Sequence, residues 1–367
     1  MDNDDLSWYD ASNVYFQTIA QKSLEAELIF SKIGAVLNVL HLIVLTRKSM
    51  MTSSINVILI GIACCDLFLM VFMINSSSLD LFFSGSDCIP PPSLDRLRFE
   101  WLVISIYTGV RQCSAWLAVL ISILNYLIIS NITNSNSKFA KLSYGMKAIA
   151  ATLLMSLIVA SAFFLNYEFV EVAKWRPKAS CEHYSRDWEE SVYSAHYIEF
   201  FEIHDGLFLQ IRLVFEGVVI KLIPCIMLPT LSGILIYKIR KTTRRWESSP
   251  AVVAWKDPRK SHTDRTTIIV IFISISFFLS EFPTGFFDIF EAIFHKEPAA
   301  QTLSQTVKFV CDAIFIFNSS LHCLVYFLMS VQYRNTVYSL LRLSYFKKKS
   351  GTSVQSVVRL SNTTQHR

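Results

Sequence analysis

The sequence predicts an all-α membrane protein: a seven-transmembrane helix bundle with the N-terminus outside and a short amphipathic eighth helix. Three observations carry that prediction. The 367 residues are 52% hydrophobic, with a mean hydropathy of +0.40, which is the profile of a membrane protein. Seven apolar runs lie at 28–46, 55–74, 101–129, 148–165, 213–237, 266–290 and 309–330, each close to the ~20 residues a helix needs to cross the hydrocarbon core. Lys and Arg collect beside alternate runs, with two in the first inner loop, three in the second, nine in the third and seven in the tail, 21 of the chain's 34. Positive segments stay in the cytoplasm, which fixes the C-terminus inside.

Each run has to be helical despite its many Val, Ile and Phe residues, because lipid cannot satisfy the N–H and C=O groups of an open strand. The acidic start "MDNDDLSWYD" lacks the basic region of a cleaved signal peptide, so the first run is expected to direct insertion. The domain layout is then an extracellular N-terminus at 1–26, the seven-helix domain with its eighth helix at 27–346, and a cytoplasmic tail at 347–367. After the fourth run, "NYEFVEVAKWRPKASCEHYSRDWEESVYSAHYIEFFEIHDG" mixes aromatics with both charge signs, a composition suited to a lid or hairpin over a cavity. The basic inner segment ahead of the sixth run holds Pro250 and Pro258 and is expected to extend the flanking helices. Its positive charge suits anionic lipid as well as a protein partner, and no nucleic-acid partner is expected. Beyond the seventh run, "VQYRNTVYSLLRLSYFKKK" spaces Val337, Leu340, Leu341 and Leu343 as a helix lying on the inner leaflet.

Of eight cysteines, this topology puts six inside spans and only Cys88 and Cys181 in outer loops. The outer face is oxidising, so those two are expected to pair, against the alternative of two free thiols. Asn75 opens an "NSS" sequon at the outer end of the second run and is an expected glycan site, whereas Asn131, Asn318 and Asn362 lie inside or within a span and are expected to be bare.

Ionisable and amide groups within spans are costly and mark function or internal structure. Asn38 and Asp66 sit midway along the first and second runs. Arg111 lies about 22 Å from the inner end of its helix, at 1.5 Å per residue, in the outer half. Arg212 and Glu216 are four apart and can face each other. With Lys221, Glu281, Asp288, Lys308 and Asp312 they predict a polar pocket open to the outside, for a ligand with charged or amide groups; Arg111, Arg212, Glu216, Glu281 and Asp312 are its candidate ligand contacts. His41, His322 and the loop histidines lack metal-ligand spacing, so neither an enzyme, a metal site nor a cofactor is expected.

The stretches "SSINVILIGIACCDLFLM", "CSAWLAVLISILNYL", "GVVIKLIPCIMLPTLSGILI", "DRTTIIVIFISISFFLSEFPTG" and "NSSLHCLVYFLMSVQYR", in this order, resemble the rhodopsin-like G-protein-coupled receptors. More narrowly they are similar to the W class of nematode serpentine chemoreceptors, itself similar to invertebrate FMRFamide and myosuppressin peptide receptors. The resemblance implies a polar switch core at Asn38, Asp66, Asn318, His322 and Tyr326. It implies a fifth-helix proline at Pro224 or Pro229, and a hinge at Pro283. Cys181 matches the family's outer-loop cysteine, and Cys88 replaces the usual partner, whose place Glu100 holds. The family's Asn-Pro-x-x-Tyr is here "HCLVY", with His322 and Cys323 in the Asn and Pro places. Where the family has Asp-Arg-Tyr, this chain has Leu124, Asn125 and Tyr126; Asn125, Tyr126 and Arg265 are the implied G-protein interface. Glu281 stands where a Trp often serves as a switch.

The expectation is therefore a multi-pass cell-membrane receptor for an extracellular peptide, of FMRFamide-like type, or a small chemical, signalling to a heterotrimeric G protein. The alternative is a non-signalling seven-helix protein, a decoy or heteromer partner, favoured by Asn125. A transporter ranks below both, since the chain shows neither inverted repeats nor Gly-interrupted spans.

Overall fold

The computed structural model describes residues 3–83, 88–130, 141–178, 181, 185, 187–201, 203–247 and 258–341. The elements are α1 (Asn3–Leu45), α2 (Ser54–Phe83), α3 (Leu94–Ser130), α4 (Leu142–Leu165), a hairpin of β1 (Tyr167–Trp175) and β2 (Glu190–Tyr197), α5 (Ile203–Phe215), a π-helical segment (Glu216–Leu222), α6 (Ile223–Glu247), α7 (Pro258–Ile293), α8 (Pro298–Met329) and α9 (Val331–Leu340). Among the described residues six helical spans are long and apolar enough to cross a membrane, α5 through α6 counting as one. α7 is the remaining helix of the seven. α1 begins at Asn3 and runs unbroken through residues 26 and 27.

The bundle inverts the pattern of a soluble protein. On α4 the buried residues are Gly145, Thr152, Ser156 and Ala160, one small-residue stripe at helical spacing, while Leu153, Leu154, Met155, Leu157 and Ile158 are exposed. Lipid is as apolar as leucine, so nothing drives large side chains inward, and close helix approach selects small ones. α3 is the central post, touching α2, α4 and α6, while α1 packs mainly on α2 and α8.

The fifth and sixth spans meet backbone to backbone. A Cβ added to Gly217 would lie 2.6 Å from the Gly285 carbonyl oxygen, and one on Gly285 would lie 2.9 Å from that of Gly217. Only glycine permits that approach. The π-helical turn between α5 and α6 ends just before Pro224. A proline has no N–H to donate and its ring crowds the carbonyl four residues back, and a wider turn relieves both conflicts. Pro229 and Pro283 sit inside α6 and α7.

The outer segment is a hairpin, as its composition suggested. β1 and β2 pair antiparallel from Tyr167↔Tyr197 to Trp175↔Glu190, with an irregularity between Glu171 and Ala173. Cys88 and Cys181 form a disulfide, with Cα atoms 5.4 Å apart, which ties this segment to the stretch leading into α3. At its base the Tyr167 and Tyr197 hydroxyls are 3.1 Å apart, and the Arg212 guanidinium lies 5.4 Å from the Tyr197 ring. α9 is capped by Ser330, whose side chain accepts from the Tyr333 N–H. It turns Tyr333 fully into the bundle while Leu341, expected on its apolar face, is exposed.

Candidate functional site

Three polar layers occupy the interior beneath the hairpin. In the outermost, Asp288 on α7 is 2% exposed at its side chain and receives Lys221 at 2.6 Å and Lys308 at 2.9 Å. Lys308 also reaches Glu291 at 2.6 Å, and Ser304 donates to the same carboxylate at 3.0 Å. Glu216 lies 3.7 Å from Arg212 and 3.8 Å from Lys221. The Gly217–Gly285 contact sets the stage for this layer, since it brings the π-helical segment within reach of Asp288. Three cations thus face three carboxylates.

The middle layer centres on Arg111. One turn of α8 separates Lys308 from Asp312, about 6 Å at 1.5 Å per residue, so the two layers adjoin. Arg111 donates through Nε at 2.9 Å and Nη2 at 2.7 Å to one oxygen of Glu281, and through Nη1 to Asp312. Its guanidinium covers the Phe315 ring at 4.7 Å. Such charge-assisted contacts are about twice as strong as neutral hydrogen bonds, and they place Glu281 as a fixed anchor between α3 and α7 where the family often has an indole. α1 adds Glu27 to this layer, 0% exposed, with Asp312 and Arg111 as the charges acting on it.

In the inner layer, His322 Nδ1 donates to Asp66 at 2.9 Å and Ser114 donates to the other oxygen of Asp66 at 3.1 Å. The Asn38 amide donates to the carbonyls of Gly34 and Ser319, at 3.1 and 3.4 Å, and contacts Met70 sulfur at 3.3 Å, stitching α1 to α2 and α8. Asn318 is buried, and its Oδ1 has no hydrogen-bond partner among the described residues. A turn further in, His41 and Tyr333 share a hydrogen bond of 2.9 Å, Cys323 lies 3.5 Å from the same hydroxyl, and the Tyr326 ring stacks on His41 at 5.3 Å. Burial, with the Cys323 thiol beside it, pushes the Tyr333 hydroxyl up, so it stays protonated as a donor.

At the inner end of α3, Asn125 is half-buried and the Tyr126 ring carries Lys238 Nζ 3.9 Å from its centroid. The backbone at Arg265 is helical, and its side chain lies outside the described residues. Asn75 is exposed near the outer end of α2, donating to the Val71 carbonyl at 3.0 Å.

Arg111, Glu281 and Asp312 therefore converge, Arg212 and Glu216 join the neighbouring layer, and Asp66 meets His322. Glu27, Tyr107, Ser114 and Tyr333 were not singled out from the sequence. Glu27 falls one residue ahead of the first apolar run. The spacing Glu27, Ser31, Gly34, Asn38, His41, one polar or small residue per turn on a single face, is the signal that marks it.

The description of the Srw group, serpentine type 7TM GPCR chemoreceptors, matches residues 25–344. The chain belongs to this family. It is a multi-pass cell-membrane protein of a receptor family rather than an enzyme family. Among curated proteins this Srw member is similar to the G-protein coupled receptor dmsr-1 of Caenorhabditis elegans, 20% identical over 337 residues that make up 83% of this chain and 64% of that relative. The chain thus spans less than two thirds of the relative's length.

Proposed function

We propose that this chain is a ligand-activated receptor. An extracellular peptide, of FMRFamide-like type, or a small polar chemical enters beneath the hairpin between the outer halves of α3, α5, α7 and α8, and the inner ends of the helices then part to admit a heterotrimeric G protein. The observation that carries this reading is the pair of adjoining ion-pair layers, Arg111–Glu281–Asp312 and Lys221–Asp288–Lys308. Ligand groups of either charge can exchange for the internal partners, and each exchange alters what holds α7 to α3, α5 and α8. The Asp66–His322 layer lies inward of it, on the route to Tyr326 and Asn125.

A second reading rests on Asn125. The family's arginine at this place supplies a charge to the G protein, and a short neutral amide cannot repeat it, which favours a decoy or heteromer partner that binds without signalling. Ligand-stimulated nucleotide exchange on purified G proteins, with the full chain reconstituted in lipid, tests both. Exchange driven by a member of a peptide and odorant panel supports the receptor, and saturable binding without exchange across all G-protein classes supports the second reading.

A further inference from the structure

α1 turns one stripe into the bundle, Glu27, Ser31, Gly34, Asn38, His41 and Leu45, every member of it buried. Its inner members have partners: Asn38 reaches α2 and α8, and His41 reaches α9. Its outermost polar members do not. Both carboxylate oxygens of Glu27, the Ser31 hydroxyl and, across from them on α3, the Tyr107 hydroxyl are buried with no hydrogen-bond partner among the described residues. Tyr107 and Glu27 share one electrostatic neighbourhood with Arg111 and Asp312.

Arg111 already gives Nε and Nη2 to Glu281 and Nη1 to Asp312, and Lys22, at the mouth of the neighbouring cleft, pairs with Glu25 at 2.8 Å. The middle layer therefore holds three carboxylates, Glu27, Glu281 and Asp312, around one guanidinium, while the adjoining layer is balanced at three against three. A buried carboxyl without a counter-charge or donors is costly to ionise, and a cation brought to it removes that cost. The Glu27 carboxyl oxygens, with the Ser31 and Tyr107 hydroxyls able to accept beside them, present lone pairs to an incoming N–H fork. Among the described residues no group of three or more acidic, His or Cys side chains is gathered closely enough to hold a metal ion, so these oxygens suit an N–H cation better than a chelated metal. Beside the stripe, Ser23, Ala26 and Phe30 face Val310, Ala313 and Phe317 of α8 across an apolar cleft of ≈ 430 Å³, which suits the hydrocarbon body of such a cation.

We infer that Glu27, with Ser31 and Tyr107, forms a subsite for a guanidinium-type cation on an apolar stem, carried by the extracellular ligand. Asp312, with 23% of its side chain exposed, is the most open of the charged groups around it and marks the entry. The inference deepens the receptor reading above and rests on it for the ligand's origin, but the binding itself can be measured without any signalling partner.

The test uses the full chain purified in lipid nanodiscs, with benzylguanidine as the probe and benzylurea, its uncharged isostere, as the control. Thermal unfolding is followed at rising probe concentration. Benzylguanidine is expected to raise Tm in a saturable way while benzylurea leaves it unchanged. Glu27→Gln is expected to weaken that effect by about tenfold or more, the size of one lost charge-assisted contact, with Glu27→Asp keeping part of it. Equal shifts from the two compounds, no shift from benzylguanidine, or a shift untouched by Glu27→Gln would each overturn the subsite. Should Glu27→Gln fail to fold, Tyr107→Phe carries the same comparison, and the guanidine-against-urea contrast in the unmodified chain decides on its own. Because no G protein is present, selective binding alongside a failed exchange assay removes only the receptor reading, and exchange that is indifferent to Glu27 removes only the subsite.

Discussion

Replacing Arg111 with Met keeps the packing against Phe315 and deletes the charge that serves both Glu281 and Asp312. Glu281 is 6% exposed at its side chain and held by two N–H donors, while Asp312 is 23% exposed. Most of the penalty therefore falls on Glu281, and breaking a buried pair from one side costs about 3–5 kcal/mol because an uncompensated charge stays behind. For a chain of this size that corresponds to a fall in Tm of roughly 4–6 °C. Cys65, Cys113, Cys225 and Cys311 are free and buried while Cys64 is free and exposed, so in a Cys64→Ser background a thiol-reactive dye reports unfolding of the purified chain. The triple variant Arg111→Met, Glu281→Met, Asp312→Asn is expected to regain most of the loss, since an apolar replacement of a whole buried network is close to neutral. A single variant within about 1 °C of the parent, or a triple variant no more stable than the single one, would show that the three residues do not act as a buried ionic unit.

Three further outcomes follow from the packing. Gly285→Ala puts a methyl 2.9 Å from the Gly217 carbonyl and should cost about 1–3 kcal/mol of stability; surface yield and dye-monitored Tm check it, and Gly233→Ala, with nothing within 4 Å, is the matched control. His322→Asn should preserve surface expression because an amide can still donate to Asp66, whereas His322→Leu leaves that carboxylate with Ser114 alone among the described partners and should cost about 1–3 kcal/mol, read by flow cytometry of tagged protein. Asn125→Arg restores a guanidinium at the inner end of α3 and should raise nucleotide exchange on G protein; an unchanged or lower rate would remove Asn125 from the account of coupling.

Hydropathy and loop charge were enough for the seven runs and their direction, because a bilayer leaves a long apolar segment one solution. The Cys88–Cys181 bridge was legible for a related reason, being the only pair the topology places in the oxidising space. Partner choice was not legible. Nothing in the spacing says that Arg111 takes Glu281 and Asp312 while Asp288 takes two lysines, since that depends on helix rotations set by small residues such as Gly217 and Gly285, whose significance appears only when two helices are superposed. Tyr333 is not legible in the pattern because Val337, Leu340 and Leu341 carry the amphipathic spacing, yet burial of one hydroxyl against His41 decides which way the helix faces. The π-helical turn is a response to Pro224 that sequence places but does not measure.

The Gly217–Gly285 contact also has a mechanical meaning. It lies eight residues from the outer end of α7 and twenty-seven from its inner end at Pro258, arms of about 12 and 40 Å at 1.5 Å per residue. With two peptide backbones touching and no side chain between them, the spot resists compression and leaves the helix free to tilt about it. If the angle at Pro283 holds while α7 turns, such a fulcrum trades a small outer displacement for one about three times larger on the cytoplasmic side. An ångström gained or lost where Asp288 meets its lysines would then become about three where α7 faces the cytoplasm.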